Sequence, residues 1–419
     1  MKSRSTVNDL LKRFGRCQSG NVAIVFALSA IPIFLAAGAS IDYARYYAGE
    51  TKLQAALDAA ALSAATAHDA SDTQRINAAL ASFKENVEGG ELAVATPNFT
   101  IKDGTVHASA DMKLPTSFMA VGGIDIMQLS AVTEIAIPED KSAEIALVLD
   151  YSGSMEDKIS GGVKYIAMKN AAKKLITDLQ VANPKRVKFG LVPFSHHVYV
   201  TLPKAYVLGQ SGSGNWTGCT QDRPYPANLT DDTPTTSNTT KWGQPQAPEH
   251  KSSDCSGYVS HNLNVTPLTD NFAGLKAQLD SMTPYAWTHI ALGVEFGFHL
   301  LSDNAPFTTG VSYDDKKTKK IMIVLTDGTQ TEPAFGPGGT RTVSQGESNL
   351  EALCENAKAK GITMMTIAYD LDDSTTRNRL RNCSTDPSKN FFVATDTSAV
   401  ASAFDDIRNA ITAQVFISK

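Results

Sequence analysis

A long stretch without any charged side chain, Cys17 to Ile41, most restricts how this chain can fold. Its apolar part, Val22 to Ile41, is long enough for a helix that crosses about 30 Å of hydrocarbon. Lipid offers the backbone no hydrogen bonds, so a single segment of this kind can cross a membrane only as a helix. We therefore expect a transmembrane helix over residues 21–41, in which Pro32 and Gly38 are tolerated.

Residues 1–20 form a basic tail before this helix. Its charged residues are Lys2, Arg4, Lys12, Arg13 and Arg16 against the single acid Asp9. The positive-inside rule predicts that the tail stays in the cytoplasm and that the bulk of the chain is exported. A cleaved signal peptide is the alternative, with small residues for cleavage at 36–40. The length of the apolar run favours a retained single-pass anchor.

The cysteines agree with this topology. Cys17 precedes the span, and four cysteines follow it in a compartment that permits disulfides. Sequence proximity favours Cys219–Cys255 and Cys354–Cys383 among the three possible pairings. Four free thiols are the alternative, and the spacings match no zinc site.

Length and charge set further bounds. A chain of 419 residues has room for two or three domains. The net charge of −5 gives no support to a nucleic-acid partner.

A helical stalk is predicted after the span, over residues 42–88. Small apolar residues recur at helical spacing along it: Leu53, Ala56, Leu57, Ala60, Ala61 and Ala64. This face could pack on a partner helix or on the chain's own next domain, and the pattern does not choose between them. Residues 73–88 read as a second helix.

Residues 89–140 are predicted to form a small β-rich module, so that the region between span and main domain is α+β. The predicted strands are Glu91–Ala95, Phe99–Lys102, Val106–Met112 and Leu129–Ile137, with a turn at Asp103-Gly104.

From residue 143 to 415 strands and helices alternate, which predicts an α/β domain with a doubly wound, mostly parallel sheet. The predicted strands are 144–150, 187–194 paired with 197–202, 320–326, 362–369 and 390–394. The predicted helices are 161–181, 270–282, 288–302, 346–360 and 397–414. Residues 204–266, rich in Gly, Ser, Thr, Asn and Pro, read as a surface insertion.

Two of these strands end in an acid, Asp150 and Asp327. The carboxyl ends of parallel strands meet at one edge of the sheet, where ligands bind. Ser152 and Ser154 follow the first acid, and Thr288 precedes a predicted helix. Such hard oxygen donors suit Mg²⁺, Ca²⁺ or Mn²⁺ and not zinc.

The order Asp-x-Ser-x-Ser, helix-opening Thr and strand-end Thr-Asp-Gly resembles the von Willebrand factor A domain, over residues 144–415. In that family these positions form the metal-ion-dependent adhesion site, so the resemblance implies a divalent cation that captures a protein partner. The implied metal ligands are Asp150, Ser152, Ser154, Thr288 and Asp327.

The N-terminal half resembles the TadE/TadG-like proteins of bacterial tight-adherence (Flp) pilus systems. The resemblance rests on Phe14-Gly15-Arg16, Gly20–Ala23, Asp42–Arg45 and Leu53–Leu62. It implies an inner-membrane protein, with its bulk in the periplasm or cell envelope, and pilus assembly components as partners. Pseudopilins of that system are cut after a Gly with a Glu five residues on. Here the fifth residue after Gly20 is Val25, so we expect residues 1–20 to be retained.

Two other functions remain open at this stage, a pilus-independent adhesin and an enzyme. A second acid two residues after Asp150 would favour phosphotransfer, but that position is Ser152. The sequence also lacks a nucleophile elbow and a phosphate-binding loop. His196-His197 lies on a predicted strand, where successive side chains face opposite ways. We therefore expect neither catalysis nor a small-molecule substrate.

Overall fold

The computed structural model describes residues 20–67, 70–138, 141–182, 185–245 and 255–416. It divides into two compact units, residues 1–139 and 140–419. Apart from Gly20, the predicted basic tail lies outside the described residues, as does Cys17. Each unit has a hydrophobic core of its own.

One long helix, α1 (Gly20–Thr66), forms the spine of the first unit. It continues without a break past the predicted end of the span at residue 41. At 1.5 Å per residue its 47 residues extend about 70 Å. The apolar first part leaves large side chains exposed, such as Val22 at 74% and Phe34 at 74%. By length and composition this helix is a candidate single membrane span.

The later part of α1 packs on a small α+β module. The module contains α2 (Asp72–Val87) and an antiparallel sheet of β1 (Thr96–Lys102), β2 (Thr105–Pro115) and β3 (Ile126–Ala136), in that order. One-turn 3-10 helices lie at Glu91–Val94 and Met119–Gly122. Leu53, Leu57 and Ala61 of α1 are fully buried in the core of this module. The small apolar face of the stalk therefore packs on the chain's own domain.

The predicted strand at Glu91–Ala95 is wrong, because this segment forms a 3-10 turn. Leu92 and Val94 would share one face of a strand, yet Leu92 is 8% exposed and Val94 is 73% exposed. Of these two side chains the core buries Leu92 alone, so a strand would gain no additional buried apolar side chain here. The turn at Asp103-Gly104 is confirmed, and both residues have positive φ, as a tight hairpin turn requires.

The second unit is organised around a six-stranded sheet. Its strand order is β10 (Thr266–Thr269), β7 (Val187–Phe194), β4 (Ser142–Asp150), β11 (Thr318–Thr326), β14 (Thr363–Tyr369) and β15 (Phe391–Ala394). All neighbours pair in parallel except β10, which is an antiparallel edge strand. Short ribbons lie outside this sheet: β5–β6 (Lys158–Ile159 and Gly162–Val163), β8–β9 (Val198–Pro203 and Asn215–Thr220) and β12–β13 (Ala334–Phe335 and Arg341–Thr342).

Helices cover both faces of this sheet, as predicted for a doubly wound fold. They are α3 (Lys164–Ala182), α4 (Ser256–Ser260), α5 (Phe272–Ser281), α6 (Ile290–Leu301), α7 (Val343–Ala359), α8 (Ser374–Cys383) and α9 (Thr397–Ile411). Side chains of β4 alternate between two cores. Leu147 and Leu149 pack in the core of α3, α5 and α9, whereas Ala146 and Val148 pack in the core of α6 and α7.

The predicted surface insertion, residues 204–266, contributes to the core. Trp242 is fully buried, and its indole Nε1 donates to Glu295 Oε1 of α6 at 3.0 Å. Arg223 Nε donates to the same oxygen at 2.9 Å. The predicted pairing of residues 187–194 with 197–202 is also wrong. β8 pairs with β9 of the insertion because β7 already has β4 and β10 as neighbours.

Both predicted disulfides are confirmed, Cys219–Cys255 and Cys354–Cys383. The first ties β9 to the start of α4. The second joins α7 to the end of α8, a helix that the sequence analysis missed. Each closes a loop of the size for which a disulfide stabilises a fold by roughly 3–4 kcal/mol.

Candidate functional site

The predicted site lies where the central strands of the second unit end. Asp150 is the last residue of β4, and Asp327 directly follows β11, the strand beside it. Both acids are buried, with Asp150 fully so. A one-turn 3-10 helix, Gly153–Glu156, carries Ser154 over the strand ends. The parallel register of β4 and β11 therefore brings two acids together that are far apart in the sequence.

Two short hydrogen bonds hold the Asp150 carboxylate. Its Oδ1 accepts from the backbone N–H of Ser152 at 2.7 Å, and its Oδ2 accepts from Thr326 Oγ1 at 2.6 Å. Burial and then the nearby Asp327 carboxylate raise the pKa of Asp150 to about 7, and hydrogen bonding by the Ser152 side chain, the Thr326 side chain and the Ser152 backbone opposes this shift. Without a cation, the two acids are thus costly to hold charged together.

The serine hydroxyls connect the two acids. Ser152 Oγ and Ser154 Oγ are 3.1 Å apart. Ser154 Oγ donates to Asp327 Oδ1 at 2.7 Å. Ser154 is partly exposed, so the site opens to the surface at this residue.

Thr288 faces the same point. A Cβ added to Gly328 would lie 3.4 Å from Thr288 Oγ1 and 3.9 Å from Ser154 Oγ. The threonine is held by its main chain, because its N–H donates to Thr331 Oγ1 at 2.9 Å and its C=O accepts from the N–H of Thr331 at 2.9 Å. The structure thus brings all five predicted residues into one cluster.

Lys164, at the start of α3, is a site residue that the sequence analysis missed. Its Nζ donates to Asp327 Oδ2 at 3.0 Å and lies 3.0 Å from Asp370 Oδ2. Burial raises the pKa of Asp327, and the Ser154 hydroxyl and the Lys164 ammonium oppose this shift. Asp370 follows β14, a third apolar strand of the same sheet, and that pattern could have predicted it. One lysine among many carries no such signal.

His289 lies beside Thr288 but has a structural role. Its Nδ1 accepts from the N–H of Leu292 at 3.1 Å and so caps the start of α6. His196 and His197 lie in the turn after β7, not on a strand, and both are buried. Tyr258 Oη contacts His196 Nδ1 at 2.8 Å and accepts from the N–H of His197 at 2.8 Å.

The five predicted residues fit a hard divalent cation by their donor chemistry. They supply two carboxylates and three hydroxyls and no nitrogen or sulfur, a set that suits Mg²⁺ or Ca²⁺ and not zinc. In the described parts of the chain, no group of three or more His, Cys, Asp and Glu residues could hold a metal. Any cation site here therefore depends on the hydroxyls as well as on the acids.

Two family models match this chain. Residues 20–67 match the Flp pilus-assembly TadE/G-like family, and residues 269–406 match the von Willebrand factor type A domain. The second match begins after the Asp150 loop, and β4 and β7 complete the same sheet before it. A comparison with characterised proteins found no significant match.

Several solved structures are similar at low identity. The von Willebrand factor domain of the type V pili tip protein Mfa5 from Porphyromonas gingivalis is 13% identical, with a TM-score of 0.42, over 67% of this chain and 98% of that one. The pilus adhesin SpaC from Lactobacillus rhamnosus GG is 16% identical, with a TM-score of 0.39, over 77% of this chain and 34% of that one. The PilB minor pilin from Streptococcus sanguinis is 12% identical, with a TM-score of 0.36, over 77% of this chain and 78% of that one. This chain thus spans about a third of the length of SpaC.

The family matches agree with the architecture of each unit. The TadE/G-like match covers α1, and the von Willebrand factor match covers the later strands and helices of the doubly wound sheet. The chain therefore joins a TadE/G-like segment to a C-terminal von Willebrand factor type A domain.

Proposed function

We propose that this protein is a membrane-anchored component of the bacterial cell envelope that assists the assembly or anchoring of a Tad/Flp-type pilus. Its N-terminus lies in the cytoplasm, and its bulk lies in the periplasm or cell envelope. The match of α1 to the TadE/G-like family supports the link to a pilus. The exposed apolar first part of the same helix supports the membrane anchor.

The cluster at the strand ends supports binding of a protein partner through a divalent cation, with Mg²⁺ as the expected metal. Asp150, Ser152, Ser154, Thr288 and Asp327 would hold this cation. The observation that carries the proposal is the grouping of two buried acids and three hydroxyls at the carboxyl ends of the central strands, described above. Lys164 pairs with Asp327 and Asp370, and a bound cation would add further positive charge beside Asp150 and Asp327. An acidic group of the partner can then approach over the partly exposed Ser154.

The proposed role is binding and not catalysis. Nucleophilic catalysis needs a base next to the hydroxyl that it activates. Here the Ser154 hydroxyl donates to Asp327, and the paired Lys164 ammonium makes this carboxylate a weaker base for that hydroxyl. Nδ1 of the nearby His289 accepts a hydrogen bond from the N–H of Leu292 in α6 and caps that helix. We expect neither a small-molecule substrate nor a nucleic-acid partner.

A double variant of the full-length protein, Asp150→Ala with Asp327→Ala, tests the cation site. Titration calorimetry with MgCl₂ should detect binding to the native protein and none to the variant, while circular dichroism stays the same. Asp280→Ala is the matched control, because this half-exposed acid pairs with Lys173 away from the site. Unchanged Mg²⁺ affinity in the double variant would show that Asp150 and Asp327 do not hold the cation.

A pull-down from envelope extracts tests the partner. With Mg²⁺ present, the native protein should retain pilus assembly components, and EDTA or the double variant should release them. Deleting the gene should also reduce surface pili. Normal piliation together with loss of surface attachment would instead favour a pilus-independent adhesin.

A further inference from the structure

The connection between β2 and β3 in the first unit, residues 116–125, exposes an unusual number of apolar side chains. Phe118 is 46% exposed, Val121 77% and Ile124 47%, and Ile126 at the start of β3 is 54% exposed. No residue from Leu114 to Ile124 is charged. Elsewhere in this module the large exposed apolar side chains, such as Val94 and Val132, occur singly. A contiguous exposed patch of this kind marks an interaction surface.

This connection, called the apolar loop below, is clamped to α1 by Asp42. The Asp42 carboxylate is buried and accepts hydrogen bonds from three successive backbone amides. Its Oδ1 lies 3.0 Å from the N–H of Ser117, and its Oδ2 lies 2.7 Å from that of Phe118 and 2.8 Å from that of Met119. Arg45 Nη1 adds a bond to Ser117 Oγ at 3.1 Å. The start of the loop is therefore fixed on the helix.

Gly38 sets the height of the loop along α1. A Cβ added to Gly38 would lie 2.6 Å from the Phe118 Cβ, so only glycine lets this ring lie against the helix. Gly38 precedes Ile41, the last residue of the charge-free segment, by about 4.5 Å of helix rise. The loop therefore meets α1 at the level where the exposed apolar part of the helix ends.

We propose that the apolar loop inserts into the outer leaflet of the membrane beside α1, as a second and shallow contact with lipid. The inference rests on the proposed membrane anchor, because it places the loop by its position on that helix. The occupant of the patch is lipid, because the patch continues the exposed apolar surface of α1 at the same level. Amphipathic segments of this kind lie about 5–10 Å into the boundary between headgroups and acyl chains. The loop would then fix the height and tilt of the module on the membrane.

The test uses full-length protein in phosphatidylcholine–phosphatidylglycerol vesicles, with Cys17→Ser to remove the cysteine before the span. The described cysteines are disulfide-bonded, so a single added cysteine can carry an environment-sensitive fluorophore. Val121→Cys reports on the loop. Val132→Cys is the control because Val132 is 71% exposed, close to Val121 at 77%. Phe26→Cys reports on the anchor, and nitroxide lipids labelled at shallow and deep positions are the quenchers.

We expect shallow nitroxides to quench residue 121 about fivefold more than residue 132, since the proposed depth is within ~10 Å of the headgroup boundary. Residue 26 should be quenched by the deep label. Quenching at 26 without quenching at 121 would overturn the loop insertion and leave the anchor intact. Absence of quenching at 26 would overturn both. Crosslinking of residue 121 between two copies, without quenching by lipid, would show that a second copy covers the patch and would also overturn the proposal.

Discussion

Two buried aspartates, one in each unit, differ in what surrounds them. Asp42 accepts from three backbone amides, and an Arg45 guanidinium nitrogen lies 3.8 Å from its Oδ1. Asp150 accepts from the Ser152 amide and the Thr326 hydroxyl, and a second carboxylate, Asp327, lies beside it. The donors around Asp42 complete a structural clamp. The acids around Asp150 leave excess negative charge, which is a reason to bind a cation. The role of a buried acid therefore depends on the groups that surround it, and burial alone does not reveal that role.

The largest expected effect comes from breaking the Asp42 clamp. Asp42→Ala leaves three amides near residue 118 without their charged acceptor. Each such bond contributes roughly 1.5–3 kcal/mol, so the loss of three should lower the local opening free energy by about 4.5 kcal/mol or more. Hydrogen exchange of the amides of residues 117–119 in vesicles should then be strongly accelerated. Asp58→Ala on the same helix, which removes a side-chain bond from Gln54, is the control. Unchanged protection of these amides would contradict the clamp.

A smaller effect is expected at Lys164, whose ammonium group lies against Asp327 in the proposed cation site. Lys164→Met leaves Asp327 and Asp370 without their shared ammonium group, which should destabilise the cation-free domain by about 3 kcal/mol. Mg²⁺ should restore part of this loss, because it supplies charge at the same carboxylates. Thermal unfolding in EDTA and in MgCl₂ measures both quantities. If Mg²⁺ restored none of the lost thermal stability, that result would contradict the proposed cation site.

Lys173→Met is the matched control for Lys164. Its partner Asp280 is half exposed, and such ion pairs contribute less than about 1 kcal/mol. A loss as large as that at Lys164 would show that the domain is sensitive to any removed lysine.

The smallest effect should come from Gly38, which shapes the loop contact without touching the clamp. Gly38→Leu pushes Phe118 off the helix and should cost about 1–2 kcal/mol of local stability by overpacking. Hydrogen exchange across residues 118–124 measures this change. Adding Phe118→Ala to Gly38→Leu should relieve the clash, and Ala36→Leu on the exposed face is the control. Equal exchange in the single variant and the native protein would show that the close approach is unimportant.

The sequence predicted much of the cluster at the strand ends of the second unit because its residues follow a regular pattern. Asp150 and Asp327 each end an apolar strand, and strand ends of a parallel sheet converge. Thr326 was not predicted, although it lies beside Asp327, because its hydroxyl matters only through its position opposite Asp150. Lys164 was not predicted because it lies on a helix, and its partners Asp327 and Asp370 follow two strands that are distant in the sequence.

Local patterns failed where burial was decided elsewhere in the fold. Residues 91–95 read as a strand, but the core accepts only Leu92. The insertion read as surface because of its polar composition, yet Trp242 is buried where Glu295 of α6 accepts its N–H. A polar segment can bury a few large side chains if the rest of the fold provides their partners.

The sequence by itself determined the apolar span, the two strand-end acids, the small face of the stalk and the pairing favoured by neighbouring cysteines. These follow from period, length and spacing, which act along the chain. Only the tertiary structure decided which acid is held by backbone amides and which lies beside a second carboxylate. It also decided that the small face packs on the chain's own module and that Phe118 lies against Gly38. These outcomes depend on contacts between segments that are distant in sequence, where hydrogen bonding and packing select one arrangement from several that the local patterns allow.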